Sequence, residues 1–123
     1  MIQGVVNAAL EAVVTLTVQG PAGQSQEIEA VIDTGFSGYL TLPTALVREL
    51  ELFYQYRGRA VLADGSEAFF HVYEVNVLWD GRLTRIEADA ADATPLVGMR
   101  LMDRYNLNID IEDGGRVRVQ AIV

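Results

Sequence analysis

The sequence predicts a mainly β fold, a small closed barrel with one or two short helices. Apolar and polar residues alternate along much of the chain, which is the period-two pattern of β-strands. Asp-Gly pairs at residues 64–65 and 80–81 separate strand-like runs, as they do in β-hairpins. Half of the 123 residues are hydrophobic, which is enough for one core. We therefore expect residues 1–123 to form a single domain.

The first two strands are predicted before residue 33. Residues 5–19 alternate, and because fifteen residues is long for one strand we expect a bend or bulge near residues 9–12. Residues 20–23 then form a turn. The second strand covers residues 26–32 and ends in a continuous apolar run, which favours a strand covered on both faces. The buried face of the first strand is expected to carry Val6, Ala8, Leu10, Ala12, Val14, Leu16 and Val18.

A short helix is predicted next, and three strands follow it. Thr44 is the expected N-cap of a helix over residues 45–52, where apolar residues have helical spacing. The Asp-Gly pairs then connect the three strands as hairpins. These strands cover residues 57–63, 67–78 and 83–90.

The last third of the chain is predicted to hold a loop, a second helix and a terminal hairpin. Residues 88–94 are small and polar, which indicates an irregular loop. Apolar spacing over residues 99–105 predicts a short helix. Residues 107–112 and 117–121 alternate on either side of a turn at residues 113–115, as in a hairpin.

The loop after the second strand is the candidate functional site, and it consists of Asp33, Thr34, Gly35, Phe36, Ser37 and Gly38. Its glycines permit a tight turn that leaves main-chain groups open to a ligand. Asp followed by Thr and Gly also closes ordinary β-turns, so the motif alone fits either a turn or a site. The apolar run before Asp33 favours a site, because a carboxylate leaving a covered strand is costly unless it is used or paired.

This loop and one later segment resemble those of the retropepsin-like (clan AA) aspartic peptidases, single-domain, bacterial-type relatives of the retroviral proteases. The resemblance rests on the Asp-Thr-Gly triplet at residues 33–35 and on residues 95–102, which are similar to the family's paired apolar residues, glycine and short helix. Residues 57–79 look like the family's flap hairpin, so order and spacing agree over residues 12–112. The resemblance implies a small closed barrel of the acid-protease type.

The resemblance also implies a role for each residue of the site. The implied catalytic residue is Asp33. The residues implied to support the active-site loop are Thr34, Gly35 and Gly98. The residues implied to contact substrate lie in this loop and at the flap tip, and they are Gly35, Phe36, Ser37, Leu62, Ala63, Asp64 and Gly65.

The chemistry of such a site requires two carboxyl groups. One accepts a proton from the attacking water while the other donates a proton to the peptide carbonyl, as in the aspartic proteases. Because the chain has a single Asp-Thr-Gly triplet, the second carboxylate is expected from another copy in a two-fold homodimer. The implied function is the hydrolysis of peptide bonds in peptide or protein substrates, with no cofactor and no metal.

Three features depart from the family's pattern. Phe36 occupies a position where the family mostly has alanine or serine, which reshapes the space beside the acid. The flap tip has one glycine, Gly65, where retroviral flaps have several. Residues 116–123 add an arm beyond the point where the resemblance ends, and that arm could join, replace or block a dimer sheet built from the chain ends.

Composition excludes several other classes of site. The chain has no cysteine and one histidine, so disulfides and a structural zinc site are not expected. His71 lies in a strand-like run, where we expect a sheet-surface residue rather than a general base. The formal net charge of −8 argues against nucleic-acid binding. No apolar stretch approaches the ~20 residues that span a bilayer, and without a signal-peptide pattern we expect a cytoplasmic protein.

Two other functions remain open at this stage. The chain could be a non-catalytic module that keeps the fold and binds a peptide or protein, or is a stand-alone monomer with Asp33 as a turn residue. It could instead be a structural β-barrel interaction domain. A strict monomer in solution would favour either of them, since it would lack the second carboxylate.

Overall fold

Ten β-strands and one α-helix make up the computed structural model, which describes residues 1–123. The helix, α1, covers Thr44–Glu49, and no helix is long and apolar enough to cross a membrane. The predicted mainly β class is confirmed. The strands are β1 (Ile2–Val6), β2 (Ala12–Gln19), β3 (Ser25–Ile32), β4 (Leu40–Leu42), β5 (Phe53–Val61), β6 (Glu67–Trp79), β7 (Arg82–Ala90), β8 (Leu96–Val97), β9 (Tyr105–Ile109) and β10 (Arg116–Ala121).

The strands form one sheet that closes on itself. Neighbours follow the order β5-β6-β7-β4-β8-β3-β2-β1-β10-β9, and β2 also pairs with β6. One edge of β2 serves two partners, because Val14 lies opposite Gly4 of β1 while Val18 lies opposite Val77 of β6. The second pairing closes a ring of the six strands β6, β7, β4, β8, β3 and β2. The predicted closed barrel is thereby confirmed.

A single contiguous core of 23 buried residues fills the barrel. Strand alternation places every second side chain inside, and Val14, Leu16 and Val18 of β2 are almost fully buried. Val75 and Val77 of β6 meet the same core. Each large aliphatic side chain removed from water in this way contributes roughly 1.5–3 kcal/mol, so the barrel is a firm support for the loops at its ends.

The N-terminal segment is a hairpin, and the prediction of one bent strand over residues 5–19 is wrong. Strands β1 and β2 run antiparallel, with Val6 opposite Ala12. Ala8 and Leu10 lie in the connecting turn and are exposed. They therefore leave the buried face to which the alternation assigned them.

The side chain of Asn7 makes this turn. Its Oδ1 accepts hydrogen bonds from the backbone N–H groups of Ala9 (3.0 Å) and Glu11 (2.9 Å). Leu10 adopts a positive φ of 60°, and its N–H donates to Asn7 O at 2.9 Å. Asparagine favours turns of this kind. Asn7 was therefore the sequence signal for a reversal of chain direction, and the apolar-polar alternation around Asn7 concealed that signal.

Helix α1 begins one residue earlier than predicted, and Thr44 is not its N-cap. The cap position is Pro43, which makes no side-chain capping bond, and the N–H of Thr44 donates to Asp92 Oδ1 at 3.0 Å. Hydrogen bonds from Thr44 lower the pKa of Asp92. The helix buries Leu46 and Val47. The carboxylate of Asp92, distant in the sequence, thus accepts a hydrogen bond from an N–H at the start of the helix, a role that the local sequence had assigned to the side chain of Thr44.

The middle strands differ from their predicted bounds at a few positions. Strand β5 starts at Phe53 and ends at Val61, earlier at both ends than predicted. Strand β7 continues to Ala90, so the irregular loop starts at Ala91 rather than at residue 88. The hairpin turn at residues 80–81 is present as predicted, with positive φ at both positions.

The predicted helix over residues 99–105 is absent, and successive turns occupy its place. Met102 N–H donates to Met99 O (3.2 Å) and Tyr105 N–H donates to Met102 O (2.9 Å), three residues back in each case. Arg104 has a φ of 69°, which ends the run before a helix can form. Tyr105 then begins β9.

The C-terminal arm joins the sheet of its own chain. Strand β10 lies between β1 and β9, and Val119 of β10 lies opposite Ile2 on one side and Leu107 on the other. Val117 and Val119 are completely buried. Strand β9 is consequently an edge strand of the sheet, as is β5 at the other end.

Candidate active site

Asp33 directly follows β3 at one end of the barrel. Its backbone N–H donates to Val97 O at 2.9 Å, and its Oδ1 accepts from the N–H of Gly35 at 2.9 Å. Phe36 N–H donates to Asp33 O at 3.1 Å, which closes the turn. The carboxylate is half-buried, and no hydrogen bond within the chain occupies its Oδ2. Asp33 is thus held in one orientation with one oxygen available.

The short strand β8 holds the two ends of this loop together. It pairs in parallel with β3, with Ile32 opposite Val97, and it pairs antiparallel with β4, where Leu40 is opposite Val97. The strand that enters the loop and the strand that leaves it are therefore both bonded to β8. The position of Asp33 depends on residues more than sixty positions away in the chain.

Gly98 packs directly against the Asp33 loop. Its N–H donates to Tyr39 O at 2.9 Å, and a β-carbon added at Gly98 would lie 2.1 Å from Gly38 O and 2.7 Å from Phe36 Cδ2. Met99 N–H also donates to Phe36 O, at 2.8 Å. The ring of Phe36 covers the space over Gly98 and Gly38 that a side chain there would need. Phe36, the departure noted in the sequence, is therefore matched by these two glycines.

Thr34 is exposed and borders a different groove from the one that its neighbours, residues 35–37, line. Its hydroxyl makes no hydrogen bond within the chain, and the residue borders an apolar groove of about 290 Å³. Leu10 and Ile111, at the rim of this groove, are 58% and 68% exposed. Thr34 thus lies beside an uncovered hydrophobic surface.

A larger cleft of about 760 Å³ opens beside Gly35, Phe36 and Ser37. The β5–β6 hairpin forms its opposite wall through residues 58–61 and Phe70. The remaining lining residues are Gly38, Tyr39, Tyr56, Glu87, Asp89 and Arg100. The loop and the flap-like hairpin therefore enclose a space of the size that binds small ligands or peptide side chains.

The hairpin tip lies outside this cleft. Leu62, Ala63, Asp64 and Gly65 are exposed in the turn between β5 and β6, whereas the parts of the hairpin that line the cleft, residues 58–61 and Phe70, lie on either side of that turn in the sequence. The carboxylate of Asp64 accepts bonds from the hydroxyl (2.5 Å) and N–H (2.9 Å) of Ser66, which lower its pKa. Contact of these four residues with substrate stays a prediction.

His71 does not belong to this site. It is exposed on β6, and its ring meets the edge of Tyr54 with centroids 5.4 Å apart. The expected sheet-surface position of His71 is confirmed by this placement.

Sequence reasoning missed polar residues of the cleft, among them Tyr56, Arg59, Glu87, Asp89 and Arg100. Glu87 and Asp89 alternate with buried Ile86 and Ala88 on β7, so the pattern did place both acids on one face. It could not show that this face borders the Asp33 loop, because that depends on the parallel pairing of β7 with β4.

The pKa of Asp89 is raised from its ordinary value to about 6. Burial is the main cause, and the negative charge of Glu87 adds to it. Glu87 in turn accepts a hydrogen bond from the Tyr56 hydroxyl, and this bond is the main reason that the pKa of Tyr56 is raised. The negative charge of Glu87 therefore opposes the ionisation of Asp89.

Asp89→Asn should stabilise the protein above about pH 6 and not near pH 4. The raised pKa means that the folded state favours neutral Asp89. The contribution of this neutral group to folding stability is present below the pKa of the unfolded state and is lost as the pH rises through about 6. Because Asp89 is partly exposed, we expect a gain on the order of 1–2 kcal/mol rather than the full linkage value. Melting temperatures at both pH values measure it, with the exposed Asp103→Asn as control. An equal effect at both pH values would contradict this account of Asp89.

These features define the retropepsin-like fold, a closed barrel with the Asp-Thr-Gly loop at one end. Two solved structures are similar to the chain. One is a retropepsin-like aspartic protease from Rickettsia conorii, with a TM-score of 0.59 and 16% identity over 99% of this chain and 91% of that one. The other is the EIAV protease complexed with the inhibitor HBY-793, with a TM-score of 0.58 and 15% identity over 79% of this chain and 89% of that one.

Sequence comparison alone does not detect these relationships. No protein-family model matches the chain, and no curated protein sequence matches it. The structural similarity, at TM-scores of 0.58 and 0.59, establishes the shared fold, and identities of 15% and 16% carry nothing beyond it. The activity has to be argued from the residues of the site.

Proposed function

We propose that this protein is an aspartic endopeptidase that hydrolyses peptide bonds with two Asp33 carboxylates, one from each chain of a homodimer. The placement of Asp33 carries the proposal. Its Oδ1 is fixed by the N–H of Gly35 at 2.9 Å, its Oδ2 is free within the chain, and the packing of Gly98 holds the loop in place. Such a group is positioned for chemistry and is already oriented before substrate binds.

The reaction requires a second carboxyl group beside the first. One carboxylate takes a proton from water as the water attacks the peptide carbonyl, and the other, protonated, donates to the carbonyl oxygen. Two like charges at close range cannot both ionise readily, so the pair shares one proton. A chain with one Asp-Thr-Gly triplet supplies half of this arrangement.

The surface around Thr34 supports a second copy as the source of the other half. The Thr34 hydroxyl has no partner within its own chain, and the groove beside it exposes Leu10 and Ile111. Uncovered apolar surface of this kind favours an interface. In a two-fold dimer whose axis passes beside this loop, Asp33 faces its own counterpart.

The cleft beside the loop supports a peptide as the substrate. It is bounded on one side by residues 35–39 and on the other by residues 58–61 of the β5–β6 hairpin. The exposed tip of that hairpin, Leu62 to Ser66, projects beyond the wall. Movement of such a hairpin over a bound peptide excludes water from the reaction.

Peptidase activity should be highest at mildly acidic pH and should resist chelators and reagents for thiols and serine hydroxyls. The shared proton is lost at high pH, and a chain without cysteine and with a single, exposed histidine offers no other route. Hydrolysis of a proteome-derived peptide mixture, followed by mass spectrometry from about pH 4 to about pH 8, measures this. Full activity at the alkaline end, or loss of activity in EDTA, would contradict the proposal.

The mass in solution provides the control. A strict monomer without hydrolytic activity would favour the non-catalytic binding module or the structural interaction domain instead. A dimer that hydrolyses peptides only with Asp33 intact supports the endopeptidase.

A further inference from the structure

The cleft beside the Asp33 loop carries a pair of carboxylates that the proposed chemistry does not use. Glu87 and Asp89 lie two residues apart on β7, and both line the cleft with Phe36 and Tyr39. Each is half-buried. Strand β7 pairs in parallel with β4, which places Asp89 opposite Thr41, in the strand that leaves the loop. The pair therefore belongs to the same space as the loop.

No cation of the chain neutralises these two groups. The cleft also contains Arg59 and Arg100, but Arg59 Nη1 pairs with Glu67 Oε1 at 3.2 Å and Arg100 Nε donates to Ser37 O at 3.4 Å. Neither arginine forms a salt bridge with Glu87 or Asp89. The only side-chain hydrogen bond to the pair comes from the Tyr56 hydroxyl, which donates to Glu87.

Aromatic side chains line the same cleft as the pair. Tyr39, Tyr56 and Phe70 line the cleft together with the two acids, and the Phe70 ring lies against Gly58, where an added β-carbon would be 2.3 Å from Phe70 Cε2. Lysine and arginine have apolar stems that pack on aromatic surface and charged heads that reach beyond it. A cleft lined by both aromatic rings and two carboxylates offers a surface for each part of such a side chain.

We infer that Glu87 and Asp89 make the cleft selective for peptides that present an arginine or lysine side chain to it. This inference rests on the proposed peptidase function, since it names the substrate class of that cleft. A guanidinium or ammonium group favours the charged form of neighbouring carboxyl groups and provides charge-assisted hydrogen bonds to both acids. A neutral side chain leaves the two carboxylates partly desolvated and unpaired.

The first test compares cleavage of matched peptides. Cleavage sites in a proteome-derived peptide library are mapped, and the best-cleaved arginine peptide is resynthesised with citrulline, the uncharged analogue of arginine. We expect kcat/KM to favour the arginine peptide by about tenfold or more. In the double variant Glu87→Gln/Asp89→Asn this ratio should fall to near one, whereas the control Glu27→Gln/Glu29→Gln, which removes the same charge from exposed positions on β3, should keep it.

An unchanged ratio of kcat/KM for the arginine and citrulline peptides in the folded double variant overturns the inference. The absence of any arginine or lysine preference in the wild type also overturns it. Both results leave the peptidase proposal intact. If melting curves show that the double variant does not fold, the single variant Glu87→Gln decides in the same way.

A second arm does not depend on hydrolysis. The Asp33→Asn protein is used to select peptides from the same library by affinity, and arginine and lysine should be enriched among those bound. Adding Glu87→Gln and Asp89→Asn should abolish the enrichment. If wild-type protein cleaves nothing, the peptidase proposal fails while this arm still decides the preference of the cleft. Equal enrichment with and without the two acids overturns the inference.

Discussion

Asp33→Asn should abolish peptidase activity and leave the fold and the dimer intact. Asparagine is nearly isosteric with aspartate, and its side-chain oxygen can still accept the bond from Gly35 N–H, which is 2.9 Å long in the wild type. The variant loses only the group that takes and gives the proton. Hydrolysis of the best-cleaved peptide and the melting temperature measure the two effects, with Asp103→Asn as the exposed control. Residual activity close to that of the wild type would remove Asp33 from the mechanism.

Mixing the two kinds of chain tests whether the site is shared. When equal amounts of wild-type and Asp33→Asn chains exchange at random, about a quarter of the dimers contain two intact copies. Activity should therefore fall to about a quarter of that of wild-type protein at the same total chain concentration. A fall to about one half would mean that each chain carries a complete site, and the shared dyad would be wrong.

Gly98→Val should both destabilise the protein and inactivate it. The added β-carbon would lie 2.1 Å from Gly38 O, a backbone atom that cannot move without shifting the Asp33 loop. Overpacking of this kind costs ~1–3 kcal/mol, occasionally more, and we expect the upper end of that range. Chemical denaturation and the peptide assay give the two readouts.

Gly65→Ala is the comparison for Gly98→Val. A β-carbon at Gly65 meets no atom within 4 Å, so the change costs only the strain of its φ of +85°, about 1–2 kcal/mol. Wild-type stability and activity in Gly98→Val would make Gly98 an ordinary turn residue and separate its segment from the site.

The sequence was most informative where a side chain and its local backbone act together. The Asp-Thr-Gly triplet with its apolar run was sufficient to place Asp33 at the end of a strand, and the Asp-Gly pair at residues 80–81 was sufficient for a hairpin. These features need only neighbouring residues, because glycine and aspartate set the turn themselves.

Predictions failed where a distant residue decides the local structure. The first N–H of helix α1, that of Thr44, donates to Asp92, and Thr44 is not the N-cap; no local pattern contains that information. The alternation of apolar and polar residues continues through the turn at Asn7 and concealed it, because such a pattern reflects side-chain polarity and not the direction of the chain. The acids at positions 87 and 89 were not singled out, because the cleft that they line is created by the pairing of β7 with β4.

The place of β10 between β1 and β9 has a consequence for synthesis on the ribosome. Ile2 pairs with Val119, so the outer edge of β1 stays uncovered until residues more than a hundred positions later have been synthesised. Pairings this far apart in sequence also form slowly, because a long loop must be closed before they stabilise anything. In a nascent chain, the backbone groups of β1 and β9 that pair with β10 therefore lack their hydrogen-bond partners until residue 121 has left the exit tunnel. Completion of this part of the sheet, and of any dimer that depends on it, thus follows the synthesis of β10 rather than that of β1.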